Sequence, residues 1–136
     1  MKRVTGLGGM FFKSEDPGKL KEWYREHLGI ESEPWGTSFL WRDSEDPEER
    51  GYTVWSPFPK TTDYFAPSGQ PYMINYRVAD MDGLLAALAE EGVEIVGEPV
   101  VEENGKFAWI LDPEGRKIEL WEPVPSAKDP YLPQDD

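Results

Sequence analysis

The chain has 136 residues, with 27 acidic against 14 basic side chains, a formal net charge of −13 at pH 7, and no cysteine. That acidity opposes binding to nucleic acid or to an anionic membrane, and the lack of thiols excludes a disulfide, a thiolate metal site and a cysteine nucleophile. The length suits one domain with a real core, and six Trp, six Tyr and six Phe supply large apolar area of a kind that argues against disorder.

The opening MKRVTGLGGMFF has a short basic start without the long apolar segment of a secretory signal, and no stretch approaches the length of a membrane span. A soluble, cytoplasmic protein is the expectation. A first strand is expected over about 6–13. Asp16 then reads as an N-cap, Pro17 suits the first helical turn, and Leu20, Trp23, Tyr24 and Leu28 make an apolar stripe along a helix over 17–28 that Gly29 ends. The only histidine, His27, lies beside Leu28 and reads as a packing or surface residue. Strands follow over 37–42 and 51–56, with a short one near 32–36. PFPKTTDYFAPSGQP (57–71) is rich in proline and turn residues, but Tyr64 and Phe65 make it a candidate cover for a pocket rather than a spacer. A strand over 72–78 leads to a helix over 81–91, capped by Asp80, striped by Met81, Leu84, Leu85 and Leu88, and ended by Gly92. Strands over 94–101, 106–111 and 116–121 complete the pattern. The tail after Pro123, with Pro125, Pro130 and Pro133, is expected to be extended.

The two halves repeat. DPEERGYTVWSP (46–57) and DPEGRKIELWEP (112–123) share six of twelve residues at a constant offset of 66. One repeat of this length implies a duplicated module, not a solenoid. The chain divides into module one (about 4–57), a linker (58–71), module two (about 72–123) and the tail (124–136), all within a single domain.

Two strand–helix–strand modules, the second ending in DPEGRKIELWEP and the first carrying the helix LKEWYREHLGI, resemble the vicinal oxygen chelate superfamily of glyoxalases, bleomycin-resistance proteins and extradiol dioxygenases. The resemblance covers about residues 6–123. It implies an α+β fold in which two βαβββ modules form a concave half-barrel cleft, commonly in homodimers. It also implies metal positions on the first and last strands of each module, here Gly9, Thr53, Met73 and Glu119. Only Glu119 is a usual ligand for a hard divalent ion. No cofactor is therefore expected, with a divalent metal as the alternative.

Strand alternation, with its parity fixed by those positions, predicts which side chains face the cleft. They are Phe11 and Lys13, Phe39 and Trp41, Trp55, Asn75 and Arg77, Phe107 and Trp109, then Lys117, Glu119 and Trp121. Aromatic walls with a few polar anchors fit a small-molecule site; the alternative is aromatics that simply fill the half-barrel. Arg77 is the first-choice partner for the Glu119 carboxylate, with Lys13 or Lys117 as alternatives. The leading expectation is metal-independent binding of a small aromatic or planar molecule. The alternatives are a lyase, isomerase or dioxygenase using Glu119 as base or as the single retained metal ligand, and a dimeric interaction module. Whether the protein is an enzyme is left open by the sequence.

Overall fold

Each module of the computed structural model, which describes residues 3–133, opens on a strand that meets its counterpart at the centre of one sheet. Met1, Lys2 and residues 134–136, and with them part of the basic start and the end of the tail, lie outside the described residues. Module one comprises β1 (Val4–Ser14), α1 (Pro17–Leu28), β2 (Thr37–Arg42) and β3 (Arg50–Pro59). Module two comprises β4 (Tyr72–Val78), α2 (Met81–Glu90), β5 (Val100–Glu102), β6 (Gly105–Leu111) and β7 (Lys117–Pro123). The sheet order is β2-β3-β1-β4-β7-β6-β5. Central β1 and β4 are antiparallel, and each runs parallel to the last strand of its own module. The repeated segments thus lead into β3 and β7, which occupy equivalent places on either side of the centre.

Local chemistry accounts for the helix limits. Asp16 accepts a hydrogen bond from the Lys19 backbone N–H at 3.1 Å, Pro17 fills the first turn, and Gly29 ends α1 in the left-handed conformation. Asp80 does the same for Gly83 at 3.1 Å at the start of α2. The two helices bury very different amounts. α2 presses Met81 and Leu84 into a cluster with Val78, Ala108, Ile110 and Leu120. α1 contains no buried residue, and its expected stripe is incomplete, with Trp23 and Leu28 exposed. His27 is exposed too, its ring beside Trp23.

Three expectations need correction. The strand near 32–36 is reduced to a single bridge between Glu33 and Gly36. The strand over 94–101 breaks into a bridge at Ile95 and the short β5, because Gly97 adopts a left-handed φ of 70° and Pro99 offers no N–H to a ladder. The tail is not simply extended. After a 3-10 turn (Ser126–Lys128), Asp129 and Leu132 are buried, and Leu132 joins Tyr52 and Trp121 in a second apolar cluster. Tyr52 Oη donates to Asp129 Oδ2 at 3.0 Å, and the Tyr131 N–H donates to Asp129 Oδ1 at 2.9 Å. Proline excludes the tail from helix and sheet interiors, but one leucine and one aspartate still find partners.

Candidate functional site

β7 carries Glu119 in the middle of a strand whose alternate residues, Ile118 and Leu120, pack towards α2. Glu119 is therefore turned to the opposite, concave face, where it is only 3% exposed. A carboxylate buried this deeply needs hydrogen bonds. Asn75 Nδ2, on the adjacent β4, donates to Oε1 at 2.6 Å. Trp109 Nε1, on β6, donates to Oε2 at 2.9 Å, and the Tyr64 hydroxyl donates to the same oxygen.

The expected ion pair with Arg77 is not formed. Arg77 lies two residues beyond Asn75, one full strand repeat away, and its guanidinium sits between the indoles of Trp41 (4.9 Å) and Trp121 (4.6 Å). Burial lowers its pKa from the ordinary arginine value. Lys13 instead reaches over the Phe65 ring. Lys117 shares the face of Glu119, but its ammonium donates to the Tyr64 carbonyl at 2.7 Å; burial lowers its pKa, and the Glu119 charge opposes that shift.

Tyr64 and Phe65 come from the linker, which folds over one end of the sheet. Phe65 is fully buried against Phe58, and Tyr64 stacks on Phe58 with ring centroids 5.7 Å apart. The linker is thus fastened by its aromatic packing, by Lys117 and by Glu119. Burial, reinforced by the Glu119 charge, pushes the Tyr64 phenol above its usual range, so it remains a proton donor to the carboxylate at neutral pH.

Beyond Tyr64 and Trp109 lies a cleft of about 680 Å3. Its walls include Trp35, Tyr52, Val54 and Phe107, with Val100, Glu102 and Asn104 on the β5–β6 side. Tyr131 of the tail and Ser38 of β2 also line it, whereas Glu119 does not.

Of the residues expected to face this space, Phe107 and Trp109 line it. Trp121 is buried behind Phe107, stacked on it at 5.7 Å, and Asn75 lies against Glu119. Phe11 packs on Phe58. The assignments in β2 and β3 are corrected. Trp55 lies on the helix side, 4.9 Å from Tyr24 of α1, Phe39 is exposed on the face it shares with Thr53, and Trp41 turns to Arg77 and a separate hollow. One residue explains the reversal. An offset of 66 relates Gly9 to its partner Asn75, but Val54, beside Gly9, corresponds to Glu119 at an offset of 65. In a strand, a shift of one residue moves every side chain to the other face. Tyr52 and Val54 consequently line the cleft in place of Trp55.

The same register bears on a metal. Asn75, not Met73, is beside Glu119, and Thr53 Oγ1 donates to the Leu7 carbonyl at 2.7 Å while accepting from Trp41 Nε1. Both Glu119 oxygens already accept hydrogen bonds, and no group of three or more His, Cys, Asp or Glu converges among the described residues. This donor set does not fit a divalent ion.

A structural likeness to known proteins extends over most of the chain. Methylmalonyl-CoA epimerase from Streptomyces coelicolor is 18% identical, with a TM-score of 0.64 over 89% of this chain and 99% of its own. The corresponding enzyme from Mycobacterium tuberculosis is 23% identical, with a TM-score of 0.58 over 91% of each chain. A glyoxalase/bleomycin resistance protein/dioxygenase superfamily member from Vibrio splendidus 12B01 is 13% identical, with a TM-score of 0.53 over 87% of this chain and 99% of its own. No protein-family model and no curated protein matches the sequence. The chain has the fold of the vicinal oxygen chelate superfamily. At these identities the likeness defines the fold and leaves function to the site itself.

Proposed function

We propose that the protein binds a small aromatic or planar molecule in the 680 Å3 cleft without using a metal. The observation that carries this reading is the composition of the wall. Trp35, Phe107 and Trp109 offer apolar faces for stacking, while Ser38 and Asn104 offer polar groups to orient a ligand. Catalysis by Glu119, as base or as a single metal ligand, is the weaker reading. Its carboxylate already accepts from three uncharged donors, and it is absent from the lining of the cleft. Assembly into a homodimer remains part of the proposal, supported by the apolar side chains of Trp23 and Leu28 left uncovered on α1.

Calorimetric titration of the full chain with naphthalene-1-methanol tests the binding site. Val100 lines the cleft yet is 39% exposed on edge strand β5, so Val100→Trp would obstruct the space without disturbing the core. The expected result is saturable binding that Val100→Trp weakens at least threefold. Absence of saturation, or equal affinity in the variant, would remove this site from consideration.

A further inference from the structure

Four of the donors that line the cleft are already committed to carboxylates, so aromatic faces and hydroxyl lone pairs make up much of its wall, beside the Ser38 hydroxyl, the Asn104 amide and the Trp35 indole. The hydroxyls of Tyr52, Tyr64 and Tyr131 donate to the carboxylates of Asp129, Glu119 and Glu103 respectively. Trp109 Nε1 also donates to Glu119, at 2.9 Å. All four of these side chains line the cleft. A phenol that donates to a carboxylate presents only oxygen lone pairs to anything else. Its ring also becomes more electron-rich, which strengthens the attraction of its face for a cation.

The charges around the cleft have the same sense. Glu102 lines it, and no lysine or arginine does so among the described residues. Two cations lie near the walls. The Lys117 ammonium is 5.3 Å from the centre of the Tyr64 ring and is held by the Tyr64 carbonyl; the Arg77 guanidinium is 5.8 Å from the Tyr52 ring and is held between Trp41 and Trp121. Neither side chain lines the cleft, and the Lys117 ammonium is also 5.7 Å from the centre of the Trp109 ring. Against them stand Glu102, Glu103, Glu119 and Asp129.

From this arrangement we infer that the cleft selects a cation: an amine or quaternary ammonium group carried on a flat apolar body. The body stacks between Phe107, Trp109 and Trp35, and the charged nitrogen lies against the tyrosine faces near Glu102. A carboxylate or phosphate would meet the like charge of Glu102 and no cationic side chain in the lining, with only uncharged donors such as Ser38 and Asn104 to receive it. This inference rests on the cleft being the small-molecule site proposed above.

The test is calorimetric titration of the full chain, at pH 7 and low ionic strength, with three probes of matched shape. These are naphthalene-1-methanamine (a cation), naphthalene-1-methanol (neutral) and naphthalene-1-carboxylate (an anion). The amine should bind about tenfold or more tighter than the alcohol, in line with a desolvated cation–aromatic contact, and the carboxylate should bind weakest. Glu102→Gln should narrow the gap between amine and alcohol at least threefold, and Glu114→Gln, on the β6–β7 turn and outside the cleft, should not. An alcohol or carboxylate that matches the amine overturns the charge preference while leaving the binding site intact. An equal effect of Glu102→Gln and Glu114→Gln reduces the preference to the overall charge of −13 and also overturns it. Failure of all three probes to saturate removes the binding site and the preference together.

Discussion

The two modules share an architecture and differ in what they bury. In module two, α2 seals an apolar cluster over β4, β6 and β7, and the other face of β7 holds a buried carboxylate supplied with three donors. In module one, α1 rests on β1 and β3 without a single buried residue, and Val54 stands at the place that corresponds to Glu119. The two modules therefore share the path of the backbone and differ in the polar anchor, which only module two holds at this place. Module two provides the rigid polar anchor that fastens the linker. Both modules wall the cleft, module one with Trp35, Ser38, Tyr52 and Val54, and module two with Val100, Glu102, Asn104, Phe107 and Trp109.

The largest effect is expected where this asymmetry is greatest. Glu119→Ala leaves Asn75 Nδ2, Trp109 Nε1 and the Tyr64 hydroxyl without their acceptor, a loss expected to destabilise by roughly 3–4 kcal/mol. The corresponding Val54→Ala removes only partly buried apolar surface and should cost about 1 kcal/mol. Chemical unfolding of the two variants measures the difference. Equal losses would show that the carboxylate contributes no more than an apolar side chain at the matching place.

The helices supply the next comparison. Leu84 on α2 is buried and Leu28 on α1 is 61% exposed. Leu84→Ala should cost about 2–3 kcal/mol, whereas Leu28→Ala should stay within about 0.5 kcal/mol. A large loss for Leu28→Ala, dependent on protein concentration, would instead reveal that α1 is covered in solution by a second copy of the chain.

Much of module two was legible in the sequence because its signals agree. A turn and a proline bracket β7, Ile118 and Leu120 alternate with Glu119, and the α2 stripe has helical spacing; together these define one consistent inner face. Module one departs from the expected alternation because the 66-residue offset does not hold at the pairing of β3 with β1. The identities around Asp, Pro, Arg and Trp align at 66, but the pairing with β1 places Val54 rather than Thr53 opposite the Glu119 position. Register shifts in β1 on either side of Leu7 depend on pairing with β4 and leave no mark on alternation. Other parts of the site are assembled only in three dimensions. Tyr64 is 55 residues from Glu119, and Tyr52 is 77 residues from Asp129. The aromatic linker indicated a covering segment, but nothing local could specify which carboxylate its tyrosine meets. Glu102, Asn104 and Tyr131 lie at an edge strand, a turn and the tail, where periodicity carries least information.

The smallest expected effect separates these two tyrosines by pH. Burial raises both phenols above the usual value of 10.0; Glu119 adds to the shift of Tyr64, and Asp129 adds to that of Tyr52. A raised folded-state pKa in an acid means that the folded protein favours the protonated form. The associated stabilisation is complete below the unfolded value near 10 and declines as pH rises from there towards the folded value. Thermal stability of the native protein should accordingly fall above pH 10. Tyr64→Phe removes one hydrogen bond to Glu119 and should cost about 1 kcal/mol at pH 8. It also removes one of the groups that titrate, so its melting temperature should fall less steeply than the native value between pH 9 and 11. Tyr52→Phe should flatten the same limb while releasing Asp129 and the tail, seen as increased susceptibility of residues 126–133 to limited proteolysis at pH 8. Tyr64→Phe should leave that cleavage unchanged, because its carboxylate belongs to β7. A decline as steep as the native one in both variants would mean that neither hydroxyl is held by its carboxylate, and the division between linker anchor and tail anchor would collapse.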